Sequence, residues 1–71
     1  MTKEYAVIIE RGDRSFGAWV PDLPGCVAAG KSAAAVERLN REAIPCHIEG
    51  LKATGEPVPE PTSRVTSVAV A

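Results

Sequence analysis

The chain has 71 residues, of which 45% are hydrophobic and 4% aromatic, and its formal net charge is −1. This length allows one domain, marginally stable unless copies associate, with a core built mainly from Ala, Val, Ile and Leu. The balanced charge excludes a general affinity for nucleic acid unless the basic residues cluster. No apolar run has the length of a signal peptide or a membrane span, so we expect a cytoplasmic protein with no membrane contact.

The N-terminal part of the chain predicts three consecutive strands. Residues 5–10 are β-branched and alternate loosely, residues 15–20 follow a turn at 11–14, and residues 26–29 form a short third strand. In the second strand, Phe16 and Ala18 share one face and Trp19 lies on the other. Pro24-Gly25 suits the two central positions of a type II turn between strands two and three.

The middle of the chain predicts one helix. Ser32 is a suitable N-cap, the helical period continues to about Lys52, and Gly55 is a stop signal. The predicted buried face carries six residues: Val36, Leu39, Ala43, Cys46, His47 and Leu51. Pro45 lies on the opposite, solvent side, where water can satisfy the carbonyl that it frees, so we expect one kinked helix rather than two.

The C-terminal part predicts an extended connector at residues 56–61 and a fourth strand at residues 64–70. A helix of about 20 residues spans roughly 30 Å and returns the chain to the start of the sheet, so the fourth strand must run parallel to the first. A right-handed crossover places it beside strand one. The predicted fold is therefore α+β, with element order β-β-β-α-β, a four-stranded sheet in the order 3-2-1-4, and one helix on one face. The uncovered face carries Trp19 or Phe16 according to the register, and it predicts self-association into a dimer or tetramer.

Residues with catalytic or metal-binding chemistry are few. We interpret His47 as a histidine in or near the core, sharing a small polar network with Asn40. Three acidic residues have the chemistry of a two-metal nuclease, but nothing in their spacing brings them together: Glu10, Asp13 and Asp22. We assign no catalytic residue and no cofactor.

The two cysteines predict neither a disulfide nor a metal site. Without a secretory signal, Cys26 and Cys46 are expected to be buried and reduced. Together with His47 they supply three ligands, one fewer than a closed zinc site needs.

The loop between strands two and three is the candidate binding site. Its candidate partner-binding residues are Pro21, Asp22, Leu23 and Pro24. Its two prolines limit the conformational freedom of the loop. The loop would therefore present an exposed Leu23 to a partner at low entropic cost. The alternative is a rigid turn with no further role.

Five runs along the chain resemble the HicB family of antitoxins. They are YAVIIE at 5–10, FGAWVPDLPGC at 16–26, REAI at 41–44, HIEGL at 47–51 and GEPVPEPT at 55–62. The resemblance implies a partial RNase H-like fold and a binding role rather than an enzymatic one. The implied partner is a small HicA-type mRNA-cleaving toxin, neutralised when its RNA surface or active site is covered.

Members of that family often append a ribbon-helix-helix or helix-turn-helix module that binds the operator. Since the sequence ends straight after the predicted last strand, we expect a single domain over residues 1–71 with no direct nucleic-acid binding. Two alternatives remain at this point: a stand-alone RNase H-like nuclease dependent on a divalent ion, and an orphan domain whose role is assembly.

Overall fold

The computed structural model describes residues 3–71 and contains three strands followed by one helix. The strands are β1 (Ile8–Arg11), β2 (Phe16–Trp19) and β3 (Val27–Gly30), and the helix is α1 (Ala33–Ala53). The strands form one antiparallel sheet in the order β1-β2-β3, and α1 packs against it. The α+β class and the first three predicted strands are confirmed.

The register of the sheet decides which residues face the helix. Ala18 lies opposite Ile9 on β1 and Ala28 on β3, and it is buried. At Gly30, two positions after Ala28 and so on the same face of the sheet, an added Cβ would come within 3.2 Å of a Val36 methyl group, so α1 crosses the sheet closely there. Because successive side chains point to opposite faces, Trp19 and its neighbours face away from α1.

The ends of α1 follow the sequence signals. The Ser32 hydroxyl accepts a hydrogen bond from the Ala35 amide at 3.0 Å, which satisfies one of the unpaired donors of the first turn. Thr54 is the C-cap of α1, and Gly55 after it adopts a φ of 76°, the left-handed conformation common after helices. The helix continues unbroken through Pro45, which is exposed, so the prediction of one helix is confirmed.

The core lies between the loop after β2 and the C-terminal half of α1. Val20, Leu23 and Cys26 form its buried cluster. Six half-buried residues pack against this cluster: Tyr5, Val7, Ala43, Ile44, Ile48 and Leu51.

The buried face of α1 differs from the predicted one. Leu39 and Cys46 are exposed, whereas Ile44 and Ile48 pack against the core. The two isoleucines bury more apolar surface than Cys46 would. The face of α1 that carries them therefore packs against the core, instead of the predicted face. The prediction that both cysteines are buried is correct for Cys26 and wrong for Cys46; both thiols are free.

The predicted fourth strand is not formed. Residues 56–71 contain no strand, so the four-stranded order 3-2-1-4 is not supported, although the part 3-2-1 agrees with the observed sheet. Near the N-terminus the connector is held by the Tyr5 hydroxyl, which donates to the Pro59 carbonyl at 2.6 Å, and by an ion pair of Lys3 with Glu60.

Further along, the connector is held by Asp22, which binds Thr62 and Ser63. These contacts lead the chain across the end of the sheet, from the N-terminal side of β1 to the loop after β2. The segment that follows pairs with no strand, and Val68 and Val70 remain 81% and 89% exposed.

Candidate functional site

The sheet face opposite α1 carries an exposed apolar row. Ile8, Trp19 and Val27 lie directly opposite one another on β1, β2 and β3. Trp19 is 41% exposed and Val27 67% exposed, whereas Ile8 is half-buried. We call this surface, together with Glu10 from the same side of β1, the open face. It offers a partner a flat apolar patch centred on one aromatic ring.

The indole of Trp19 is held in place by Glu10. Its Nε1 donates a hydrogen bond to the Glu10 carboxylate at 2.5 Å. This bond fixes the orientation of the ring before any partner arrives, and it leaves a negative charge beside the apolar row. The sequence left open whether Trp19 or Phe16 lies on the uncovered face, and the register of the sheet assigns Trp19 to it. The Glu10 contact was missed; the available signal was that the two residues are diagonal neighbours on one face of the predicted hairpin.

The loop after β2 adjoins the open face, since it leaves the sheet directly after Trp19 and returns to it at Val27. Two successive turns shape it: the Leu23 amide donates to the Val20 carbonyl at 3.1 Å, and the Cys26 amide donates to the Leu23 carbonyl at 3.0 Å. Gly25 has a φ of 87°, as the third position of a type II turn requires. The predicted Pro24-Gly25 turn is confirmed.

The prediction of an exposed Leu23 is wrong. Leu23 is 0% exposed and packs with Val20 and Cys26 in the core. The two turns reverse the chain twice within a few residues, and this directs the Leu23 side chain inward. Pro24 is exposed, while Pro21 is half-buried, so the part of the loop that a partner can reach is centred on Pro24.

Asp22 holds the connector in place. Its carboxylate accepts hydrogen bonds from the Ser63 amide at 2.9 Å, the Ser63 hydroxyl at 3.0 Å and the Thr62 hydroxyl at 3.1 Å. The bond from the Ser63 amide is the main reason why the pKa of Asp22 is lowered, and the two hydroxyl bonds add to it. These bonds keep the side chain ionised and engaged with its own chain.

The predicted polar network of His47 with Asn40 is wrong. Asn40 is 0% exposed, and neither the nitrogen nor the oxygen of its side chain has a hydrogen-bond partner among the described residues. His47 is half-buried; its ring lies beside the Pro24-Gly25 turn, and its Cε1 would be 3.9 Å from a Cβ added at Gly25. The histidine therefore packs against the loop that adjoins the open face.

A groove of about 670 Å³ runs between the outer edge of β1 and α1. Tyr5, Val7 and Ile9 line it from the β1 side, and Glu37, Arg41 and Ile44 line it from the helix. No residue of the predicted site lies in it. The groove and the open face are thus separate surfaces, on opposite sides of the sheet.

The profile described as "HicB_like antitoxin of bacterial toxin-antitoxin system" matches residues 5–70, nearly the whole chain. The chain belongs to the HicB-like antitoxin family. The match includes the open face, the loop after β2, α1 and the C-terminal segment. Membership in this family points to a binding role rather than a catalytic one.

A phage protein also resembles this HicB-like chain. It is an "Uncharacterized 14.9 kDa protein in rep-hol intergenic region" of Haemophilus phage HP1 (strain HP1c1), 36% identical over 56 residues. The alignment covers 79% of this chain and 42% of the phage protein, so the chain spans less than half of that relative's length. No solved structure matches the chain.

The three acidic residues considered for a nuclease are not brought together in this HicB-like fold. Glu10 contacts Trp19 on the open face, whereas Asp22 binds Ser63 beyond the far end of β2. Asp13 lies in the turn between β1 and β2, at the end of the sheet opposite to the loop that carries Asp22. Within residues 3–71, no group of three His, Cys, Asp or Glu side chains is arranged to hold a metal ion. In the same part of the chain, no helix has both the length and the apolar character needed to cross a membrane.

Proposed function

We propose that this HicB-like protein binds and neutralises a small mRNA-cleaving toxin of the HicA type, and that it does so in the cytoplasm, where the toxin meets mRNA. Family membership supports the antitoxin role. The observation that supports the choice of surface is the apolar row in which half-buried Ile8 lies beside exposed Trp19 and Val27. The proposed contact surface is the open face, with Pro24 of the adjoining loop at its rim.

The open face has the properties of an interface centre. Tryptophan is among the residues that contribute most to protein–protein affinity when a partner desolvates it. The hydrogen bond from Trp19 to Glu10 orders the ring in advance, which reduces the entropy lost on binding. The carboxylate of Glu10 beside the ring gives this surface a negative charge, complementary to the basic surface with which an RNA-cleaving protein holds its substrate.

The loop residues have different roles in this proposal. Pro24, exposed at the tip of the loop, contacts the toxin directly. Leu23 and Asp22 do not contact the toxin; they hold the loop in shape. Leu23 packs in the core, and Asp22 binds Ser63, which follows the connector. Pro21 limits the freedom of the chain where it leaves β2.

Neutralisation on this basis requires no chemistry from the antitoxin. A rigid sheet face seated on the toxin's RNA-binding surface excludes RNA by occupying the same space. The inhibition is therefore competitive with RNA and is reversed when the complex dissociates.

Co-expression with a HicA-type toxin tests the proposal. We expect the wild-type chain to co-purify with the toxin and restore growth, and Trp19→Ala to weaken binding about thirtyfold or more, the effect typical of an interface hot spot. Leu39→Ala is the matched control, because Leu39 is 39% exposed, close to the 41% of Trp19, but lies on α1. If Trp19→Ala bound the toxin with wild-type affinity, the open face would not be part of the interface.

The loop and the alternative activity are tested separately. Pro24→Glu should weaken the complex while the circular dichroism spectrum of the free protein stays unchanged. Leu23→Asp is unsuitable for this purpose, since a charge at a fully buried position would unfold the loop. Magnesium-dependent RNA cleavage by the purified chain, lost in Glu10→Gln, would contradict the antitoxin role and favour the nuclease.

A further inference from the structure

The outer edge of β1 has unused hydrogen-bonding capacity. Within residues 3–71, β1 pairs with β2 alone, and β2 separates it from β3. An edge strand presents a row of free backbone N–H and C=O groups on which another strand can pair. Such edges are a common site at which a protein accepts an added strand.

The groove beside this edge can receive the side chains of an added strand. Tyr5, Val7 and Ile9 alternate along the chain, so they point to the same side and line the groove with apolar surface. On the helix side, Ile44 adds apolar surface, and Glu37 and Arg41, joined by an ion pair, line the remainder. Any strand paired on the edge of β1 would place alternate side chains in this groove.

Residues 64–71, which we call the C-terminal segment, have the composition of such a strand. The segment reads RVTSVAVA, rich in β-branched residues that favour strands. Val68 and Val70 are two positions apart, so in a strand they share one face, yet they are 81% and 89% exposed. Eight residues of strand span about 26 Å, enough to cover the roughly 13 Å of β1 and to continue beside residues 5–7, which precede it.

The contact of Asp22 with Ser63 separates this segment from the β1 edge of its own chain. The connector crosses the end of the sheet from Tyr5 to Asp22 before the segment begins. To lie along the outer edge of β1, a segment that starts beside Asp22 would have to cross back over the same end of the sheet. The edge of a second copy carries no such restriction.

We propose that the C-terminal segment of one copy pairs as a fourth strand with the outer edge of β1 of a second copy, and that the exchange is reciprocal. Val68 and Val70 then enter the groove and contact Val7 and Ile9 of the other chain. Reciprocal exchange closes the assembly as a two-fold symmetric dimer.

The charges of the two surfaces agree with this pairing. Arg64 is the one charged residue of the segment, and the groove is lined by Glu4 and Glu37 against Arg41. The segment thus brings one positive charge to a groove with an excess of one negative charge. The open face stays uncovered, so the dimer and the toxin complex use different surfaces.

Sedimentation of the full chain over a range of concentrations tests the proposal. We expect a dimer for the wild type and at least a tenfold increase in its dissociation constant for Val68→Asp with Val70→Asp. Val65→Asp is the matched control: Val65 is 74% exposed in the same segment but has the opposite parity, so this variant should remain dimeric. Ile9→Lys, on the groove side, should also give a monomer.

A dimer mixed from isotope-labelled and unlabelled chains shows which copy supplies the strand. We expect nuclear Overhauser effects between the Val70 methyl groups of one chain and the Ile9 methyl groups of the other. A monomeric wild type, a dimer unaffected by Val68→Asp with Val70→Asp, or contacts confined to a single chain would each overturn the proposal. Because these measurements contain no toxin, their failure is distinguishable from a failure of the antitoxin role.

Discussion

Asp22 and Ser63 are 41 positions apart in the chain, and the carboxylate of Asp22 accepts hydrogen bonds from both the amide and the hydroxyl of Ser63, at 2.9 and 3.0 Å. This contact joins the loop after β2 to the connector that follows α1. It fixes the position of Ser63, from which residues 64–71 continue, and the outer edge of β1 is unpaired in residues 3–71.

The contact between Asp22 and Ser63 should depend on pH. Because hydrogen bonds from the chain lower the pKa of Asp22, the folded state favours the ionised carboxylate. The stabilisation is therefore complete above the ordinary aspartate pKa of about 3.9 and is lost as the pH falls through the lowered pKa. Amide hydrogen exchange at Ser63, measured against pH, should show this loss of protection under acidic conditions.

Two variants control for general acid effects on the protein. Asp22→Asn should weaken the protection of the Ser63 amide at neutral pH and remove its acid transition. Asp13→Asn, in the exposed turn between β1 and β2, should leave the transition unchanged. A Ser63 amide whose protection does not change on acidification of the wild type would contradict the assigned role of Asp22.

Replacement of Asn40 by leucine should stabilise the protein. Asn40 is fully buried and its side-chain nitrogen and oxygen have no partner in residues 3–71, whereas leucine has the same branching and number of side-chain heavy atoms and no polar group. An unpaired buried polar group costs about 1–3 kcal/mol, so the free energy of unfolding in urea should rise by about that amount. Asn40→Asp, which adds a buried charge, should lower it. A less stable Asn40→Leu would show that the amide is paired in solution.

Two glycine substitutions should have opposite effects on stability. Gly25→Ala should lower the free energy of unfolding by about 1–2 kcal/mol, because a φ of 87° is unfavourable for alanine even though the nearest atom, in His47, leaves room for a Cβ. Gly50→Ala lies inside α1, where nothing within 4 Å obstructs a Cβ, and should raise it by about 0.5–1 kcal/mol. Equal effects in thermal unfolding would contradict the turn geometry at Gly25.

Replacement of Pro45 by glutamate should raise the melting temperature. Pro45 is exposed within a continuous helix, and the new backbone N–H can donate to the Arg41 carbonyl. The gain in stability should reach up to about 3 kcal/mol, the difference that proline makes in a helix interior. Glu42→Gln, at a nearby exposed position, serves as a control and should change little. A lower melting temperature for Pro45→Glu would mean that the chain needs a break at this point.

The sequence by itself determined the features that depend on a few neighbouring residues. Ser32 caps the helix through the Ala35 amide three positions later, Gly25 adopts the positive φ that its turn requires, and the alternation in β2 puts Phe16 and Trp19 on opposite faces. Each of these depends on contacts within about four residues or on the period of a single strand. The family resemblance follows for the same reason, since it lies in short contiguous runs.

The tertiary structure alone decided the features that depend on distant parts of the chain. Leu23 looked like an exposed tip between two prolines, but the α1 residues that pack against its cluster come twenty or more positions later. The predicted fourth strand had the right composition, but in the folded chain Ser63 is bonded to Asp22 in the loop after β2, and residues 64–71 form no strand. Strand propensity indicates which segments can form a strand. Whether such a segment finds an unpaired strand edge beside it depends on how the rest of the chain folds.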